Sequence, residues 1–220
     1  MRLAFFGPPG GGKGTQSDRV KSDARAIPVS TGDLLREAVA KKTPLGVKAS
    51  EFMGKGNLVP DDLVNSILKE RITQPDAREG YILDGYPRTL GQLQSLEALL
   101  ADLKMPVEKW VFIDVPLGSI EERVLNRRVC KACGKTFNTK SKPSTKGDRC
   151  DAPGCTGELY TRPDDNAEKL KKRFDAYKTE TLPVIDTLRK QGKLTEVHAG
   201  TKSADDVEAL VRKALGLKAK

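Results

Sequence analysis

Five short apolar runs recur along the chain, each bounded by polar or glycine-rich segments. They cover residues 2–6, 27–29, 80–84, 110–115 and 194–198, and residues 110–115 (WVFIDV) give the strongest strand signal. The segments between them place apolar residues at helical spacing. This alternation predicts an α/β fold with a parallel sheet covered by helices on both faces. Ligands should then bind beyond the carboxyl ends of the strands.

Helix signals after the second run predict a helical insertion. Ser30 or Thr31 is expected to cap a first helix, and a second helix is expected to begin around Pro44. A third follows Pro60, with a proline at its start and two acids in its first turn. Residues 30–59 are therefore expected to form a small helical unit between elements of the core.

A further helix is predicted to start at Pro116 and to extend as far as Arg128. Arg123 and Arg127 are four residues apart in this segment. On one helix they would share a face, directed at the cysteine-containing segment that follows.

Residues 7–15 (GPPGGGKGT) follow the first apolar run and predict a phosphate-binding loop. Glycines let successive backbone N–H groups point at one anion, and a following helix N-terminus adds partial positive charge. Lys13 supplies a full charge, which a merely flexible turn would not need. The place that usually holds a Mg²⁺-binding Ser or Thr is Gly14, followed by Thr15. This favours a small-molecule phosphotransferase over motor ATPases and GTPases.

Composition indicates a soluble globular protein of 220 residues, with 37% hydrophobic and 31% charged residues. No apolar run approaches the roughly 20 residues of a membrane span, and the N-terminus shows no signal peptide, so a cytoplasmic location without membrane association is expected. The formal charge of +9 is compatible with nucleic acid or with two polyphosphate ligands. Aromatic residues make up only 5%, which gives little support for base stacking on nucleic acid.

The four cysteines of the chain form two pairs, Cys130-x2-Cys133 and Cys150-x4-Cys155. This arrangement is zinc-ribbon-like and predicts a four-thiolate metal site, with Zn²⁺ the favoured ion and iron an alternative. Four thiolates leave no open coordination position, so the role would be structural. Reduced or redox-active thiols and disulfides are the alternatives, and Asp151 could replace one ligand.

Six arginines lie on or beside the predicted insertions and loops. A guanidinium fork matches phosphate oxygens in a way that a point charge does not. Arg88 is the strongest candidate because it follows a strand-ending acid and a Gly-Tyr-Pro turn. The six are Arg36, Arg88, Arg123, Arg127, Arg162 and Arg173.

Four motifs together resemble adenylate kinase in that family's own order, and the match covers essentially the whole chain. They are residues 7–16 (GPPGGGKGTQ), 30–36 (STGDLLR), 83–89 (LDGYPRT) and 161–165 (TRPDD). The resemblance implies the long-lid form with zinc-bearing cysteines in the lid, although the x4 spacing of the second pair departs from that family's usual spacing. The implied fold is a P-loop three-layer sandwich with a parallel sheet, a helical AMP-binding insertion and a small zinc-ribbon-like lid. The implied units are a core of residues 1–29, 60–125 and 164–220, an AMP-binding insertion of residues 30–59, and a lid of residues 126–163.

The implied reaction is MgATP + AMP ⇌ 2 ADP, catalysed by a monomer that binds ATP, AMP and ADP and no nucleic acid. By resemblance, the residues expected to act on the transferring group are Lys13, Asp84, Arg88, Arg123, Arg127, Arg162 and Arg173, with Asp84 holding Mg²⁺ through water. Those expected to bind ATP are Gly10, Gly11, Gly12, Lys13, Gly14, Thr15, Arg123, Arg127, Thr136, Phe137 and Lys202. Those expected to bind AMP are Thr31, Arg36, Asn57, Leu58, Val59, Gly85, Arg88, Gln92, Arg162 and Arg173.

Two other functions stay open at this point. One is a kinase for another nucleoside monophosphate, such as UMP, CMP or GMP, although residues 31–36 and Gln92 favour AMP. The other is a P-loop ATPase that uses a zinc ribbon to bind nucleic acid. The first predicts transfer to a different acceptor, and the second predicts hydrolysis without AMP.

Overall fold

The computed structural model describes residues 1–219, and its centre is a five-stranded parallel sheet. The strands pair in the order β2-β3-β1-β4-β8, and every pairing is parallel. Numbered along the chain, they are β1 (Arg2–Phe6), β2 (Ile27–Ser30), β3 (Tyr81–Asp84), β4 (Lys109–Asp114) and β8 (Leu194–His198). All five predicted strands are therefore present, with ends within one or two residues of the expected positions.

Nine α-helices are present in the described part of the chain and cover both faces of the sheet. They are α1 (Lys13–Val20), α2 (Thr31–Ala40), α3 (Pro44–Lys55), α4 (Asp61–Ile72), α5 (Leu90–Asp102), α6 (Ile120–Leu125), α7 (Ala167–Ala176), α8 (Leu182–Lys190) and α9 (Ala204–Leu215). Within residues 1–219, none of these helices combines the length and the apolar character needed to cross a bilayer.

Alternation along β1 divides the core between the two faces of the sheet. Ala4 and Phe6 pack in a cluster with residues of α2, α4, α5 and α8, whereas Leu3 and Phe5 pack in a second cluster with α1, α6 and α9. Successive side chains of a strand point to opposite faces, so one strand supplies both cores. The result is the three-layer α/β architecture that the sequence predicted.

The predicted N-cap of the first helix in the insertion is confirmed. The Ser30 side chain accepts a hydrogen bond from Asp33 N at the start of α2, so Ser30 rather than Thr31 is the N-cap. Thr43 caps α3 in the same way, with Pro44 as its first residue. These caps satisfy backbone N–H groups that would otherwise lack partners at the helix starts.

A second, antiparallel sheet lies within residues 127–160. It has the order β6-β5-β7, with β5 (Arg127–Cys130), β6 (Thr136–Asn138) and β7 (Leu159–Tyr160). The prediction of one helix from Pro116 to Arg128 is therefore wrong. A 3-10 turn (Leu117–Ser119) comes first, and α6 ends at Leu125.

The end of α6 depends on contacts with a distant segment. Asn126 accepts hydrogen bonds from Thr139, at its backbone oxygen (2.9 Å) and at its side-chain oxygen (3.0 Å). Arg127 then pairs with Asn138 in the second sheet. Arg123 and Arg127 consequently do not share a helix face: the first lies on α6 and the second on β5.

Candidate active site

The loop between β1 and α1 has the conformation that its glycines predicted. Gly10 and Gly12 adopt left-handed backbone angles, with φ of 78° and 89°, and Gly12 is the N-cap of α1. A Cβ at Gly10 would lie 2.3 Å from Val124 Cγ2 and 2.6 Å from Ile120 Cγ2, so α6 leaves no room for a side chain. The loop is therefore fixed in a shape that presents backbone N–H groups and a helix N-terminus to the same space.

Lys13 lies at the first position of α1 with its ammonium group folded over the loop. Its Nζ donates to Gly7 O (2.9 Å) and Pro8 O (3.0 Å). Burial above all, and then the neighbouring arginines, lower the pKa of Lys13 to about 8 against the opposing effect of Asp84. The ammonium group of Lys13 thus lies in a site that disfavours positive charge. A bound anion would stabilise the charged form of this group.

Asp84 ends β3 and faces the same space. Burial raises the pKa of this carboxyl group, while Lys13 opposes the rise. A Cβ at Gly14 would lie 3.1 Å from Asp84 Oδ2, so the glycine allows the start of α1 to lie close to the carboxylate. Gly14, which stands where a Mg²⁺-binding hydroxyl is usual, therefore lies next to Asp84, whose carboxylate can bind a cation.

Three carboxylates position the arginines of the cleft. Asp165 forms a two-pronged ion pair with Arg127, including Nε–Oδ2 at 2.7 Å, and its side chain is 0% exposed. Arg173 contacts the neighbouring Asp164, with Nη1–Oδ2 at 3.0 Å. The pair Asp164-Asp165 thus fixes two guanidinium groups before any ligand binds.

Asp33 is the third of these carboxylates, and it joins two arginines that are distant in sequence. Its Oδ1 accepts from Arg36 Nη2 at 2.6 Å and from Arg162 Nη2 at 2.9 Å. Burial lowers the pKa of both Arg162 and Arg88. Arg123, in contrast, has no ion-pair partner among residues 1–219.

Sequence reasoning missed these three acids as site residues. Asp33 lies three positions before Arg36, and Asp164 and Asp165 follow Arg162 within the same motif. That proximity in sequence was the available signal, because a cluster of buried arginines needs acidic partners.

The residues predicted to bind nucleotides all line one cleft of about 800 Å³ at the carboxyl ends of the strands. Their individual roles remain predictions. On the walls of the cleft are Gly10, Gly11, Gly12, Lys13, Gly14, Thr15, Thr31, Arg36, Asn57, Leu58, Val59, Asp84, Gly85, Arg88, Gln92, Arg123, Arg127, Thr136, Phe137, Arg162, Arg173 and Lys202. Arg123 and Arg127 reach it from two different elements. Phe137 is only 3% exposed, because it also packs with cysteines in the small core of the second sheet.

The four cysteines form one cluster. Their sulfur atoms all lie within 4.8 Å of one another, with Cys130–Cys155 and Cys133–Cys150 both at 3.6 Å. Tetrahedral Zn–S bonds of about 2.3 Å place sulfurs roughly 3.8 Å apart, so this donor set fits one such ion. Cys155 belongs to the cluster despite the wider spacing.

Asp151, the alternative ligand, does not belong to the cluster. Its Oδ1 accepts from Lys135 Nζ at 2.7 Å and its Oδ2 accepts from Thr145 N at 3.1 Å. Because both carboxylate oxygens are engaged elsewhere, the thiolates alone make up the candidate metal centre.

The lowered pKa of Lys13 predicts a pH dependence of nucleotide binding. Bound phosphate favours the charged amine, so the pKa should rise on binding and affinity should fall as pH rises through about 8. We expect the Kd of ATP to increase about tenfold between about pH 7 and about pH 9. Calorimetric titration measures it. Lys13→Arg, which stays charged, should flatten the profile, and an equally steep profile in that variant would exclude Lys13 as the cause.

Comparison with known proteins agrees with this geometry. A family model described as "Adenylate kinase" matches residues 5–193. An adenylate kinase of Archaeoglobus fulgidus is 46% identical, covering 97% of this chain and 99% of its own length. One of Carboxydothermus hydrogenoformans is 42% identical (98% and 99%), and one of Caldicellulosiruptor saccharolyticus is 44% identical (99% and 100%). With a P-loop, a cleft rich in arginines and similarity along almost its whole length, the chain belongs to the adenylate kinase family.

Proposed function

We propose that the chain carries out its phosphoryl transfer, from ATP to AMP, directly within the 800 Å³ cleft, and that the residues lining this cleft carry the reaction. The observation that supports this most strongly is the convergence of the glycine loop, Lys13 and the six candidate arginines, from separate segments of the chain, on one space. Phosphoryl transfer requires in-line positioning and cations on the developing charge, and little covalent chemistry.

ATP is proposed to bind with its phosphates on the glycine loop. The N–H groups of residues 10–15 and the N-terminus of α1 would hold the oxygens, and Lys13 would leave the carbonyls of Gly7 and Pro8 to bind the outer phosphates. The adenine would lie between residues 136–137 and the backbone near Lys202, which also line the cleft.

The transferring group is proposed to be surrounded by Arg88, Arg123, Arg127, Arg162 and Arg173. The buried ion pairs with Asp164 and Asp165 hold Arg127 and Arg173 before substrate arrives, which lowers the cost of organising the transition state. Bound Mg²⁺ would neutralise phosphate charge, and the carboxylate of Asp84 would hold its water ligands. No general base is required.

AMP is proposed to bind on the opposite side, where α2, α3 and α5 border the cleft. Arg36 and Arg88 would bind its phosphate, while Thr31, Gln92, Gly85 and residues 57–59 would surround its base. Residues 30–59 and 126–163 are proposed to close over the two nucleotides as separate units. Closure would keep water from competing with AMP for the phosphoryl group.

The cysteine cluster is proposed to hold a structural Zn²⁺. The four cysteines form no disulfide, and thiolate coordination is typical of reducing compartments, which supports a cytoplasmic location. A monomer is proposed because the large apolar side chains that are exposed among residues 1–219 lie apart, on α3, α5 and α6.

An acceptor assay tests the proposal. ADP formation from MgATP is measured with AMP, GMP, CMP and UMP, each over a range of concentrations. We expect the highest kcat/KM with AMP and negligible ATP consumption without an acceptor. Preference for another monophosphate would assign a different kinase, and nucleic-acid-stimulated hydrolysis without AMP would assign an ATPase.

A further inference from the structure

The amide of Gln92 is held by two hydrogen bonds that fix which way it faces. Gln92 Nε2 donates to Asp61 Oδ1 at 2.7 Å, and Gln92 Oε1 accepts from the backbone N of Arg88 at 2.8 Å. An ionised carboxylate can only accept and a backbone N–H can only donate. The reversed amide would therefore place two acceptors together and two donors together, so only one orientation is compatible with these neighbours.

The carboxylate of Asp61 is itself fixed on the first turn of α5. Its Oδ2 accepts from Thr89 Oγ1 at 2.7 Å, and Thr89 in turn caps α5 through Gln92 N at 3.1 Å. A Cβ at Gly91 would lie 3.2 Å from Asp61 Oδ2, so the missing side chain lets the acid lie against the helix. Asp61 thus joins the start of α4 to the start of α5.

Gln92 retains one N–H and one lone pair after these bonds are made. Its side chain is 2% exposed and lines the cleft together with Leu35, Met53, Val59 and Val64. An apolar pocket with one oriented amide suits a flat heterocycle, and the amide offers that ligand a donor and an acceptor side by side.

The orientation of the Gln92 amide matters because purine bases differ in the hydrogen-bond donors and acceptors that they carry at positions 6 and 1. A 6-aminopurine offers the N6 amino donor and the N1 acceptor, whereas a 6-oxopurine offers the O6 acceptor and an N1–H donor. An amide free to reverse would accept either base. One held in a single orientation pairs with only one of them and opposes like groups to the other.

We propose that Asp61 is a positioning residue that sets the preference for a 6-aminopurine monophosphate over a 6-oxopurine monophosphate, by locking the Gln92 amide in one orientation. The inference rests on the proposed function, since it assumes that AMP binds beside Gln92. Asp61 does not itself touch the substrate.

The test compares AMP with inosine monophosphate, which carries O6 and N1–H in place of the amino group and bare N1. We expect Asp61→Asn to lower the AMP/IMP ratio of kcat/KM by about 10- to 100-fold, the weight of one charge-assisted hydrogen bond. The change should fall on the KM of AMP, with the KM of ATP unchanged. Asp62→Asn, which removes the neighbouring exposed first-turn acid, should keep the wild-type ratio.

Two further variants separate positioning from folding. Thr89→Val removes the α5 cap and one partner of Asp61 but leaves the bond to Gln92, so it should lower the melting temperature and keep the ratio. Gln92→Ala should lower the ratio by itself, and Asp61→Asn added to it should lower the ratio no further.

Three results would overturn the inference. The first is an AMP/IMP ratio in D61N that stays within about twofold of the wild-type ratio. The second is a fall of this ratio in Thr89→Val that is as large as the fall in D61N. The third is a further fall of the ratio when D61N is added to Gln92→Ala. The proposed function fails separately, since it predicts that the wild-type chain makes ADP from ATP and AMP. An active wild type with an unchanged D61N ratio therefore contradicts only the role of Asp61.

Discussion

Replacing Lys13 with methionine should reduce ADP formation by at least about 10²- to 10³-fold, with the loss mainly in kcat. Methionine keeps the length and apolar stem of lysine but removes the charge. The Lys13 ammonium is held within the glycine loop by two carbonyls, so no other cation can take its position without rebuilding the loop. Steady-state kinetics with saturating AMP and varied MgATP measures the effect.

Lys21→Met is the matched control, because Lys21 is an exposed residue that follows α1 and whose ammonium, among residues 1–219, pairs only with Asp18. It should keep wild-type kinetics. Lys13→Met should also keep the wild-type melting temperature or exceed it. Burial of the Lys13 ammonium disfavours the native state, and methionine removes that unfavourable contribution. Full activity in folded Lys13→Met would remove the lysine from the mechanism.

Removing the Zn²⁺ that we propose for the cysteine cluster should unfold the second sheet while the five-stranded sheet persists. Only a few side chains form the apolar core there, with Phe137 clustered with Cys130 and Cys150. Binding of zinc to four thiolates contributes about 10–16 kcal/mol in small domains, which far exceeds what so small a core can supply. Calorimetry with metal analysis should therefore show a separate early transition after chelation, and loss of activity as Arg127 on β5 loses its position.

Cys150→Ser should reproduce the effect of chelation without a chelator. Asp151→Asn is the matched control, since Asp151 is the next residue but bonds to Lys135 and Thr145 instead. That variant should bind one equivalent of metal. An unchanged melting curve after verified metal removal would contradict the structural role of the cysteine cluster.

The sheet and the phosphate loop were predictable because their signals are local. Residues 110–113 of β4 are an uninterrupted apolar run, and the left-handed backbone angles at Gly10 and Gly12 by themselves favour glycine. The residues that the family motifs predict to bind nucleotides all lie on one cleft, as a shared site requires.

The end of α6 was not predictable from the sequence, because it is set by a distant partner. Helical spacing from Ile120 to Val124 continues to Arg128, and no glycine or proline interrupts it. The helix ends where Asn126 meets Thr139, 13 residues away. A contact of this kind leaves no pattern in the local sequence, and the tertiary pairing overrides local propensity.

Counter-ions were missed for a related reason. Arginines attract notice as phosphate ligands, but which carboxylate holds each one depends on how the segments meet in space. Arg162 and Asp33 are 129 positions apart and lie 2.9 Å from each other. Gln92 was predicted to bind AMP, whereas the acid that orients it lies on another helix, 31 positions away.

The fate of the γ-phosphoryl group tests the central claim most directly. Incubate the metal-loaded protein with Mg²⁺, AMP and ATP labelled in the γ-phosphate, and separate the products during the first turnovers. Direct transfer in a closed cleft predicts that the label appears in the β-phosphate of ADP, with two ADP formed per ATP consumed and negligible free phosphate. Label released mainly as inorganic phosphate, or no ADP formed from AMP, would contradict the account.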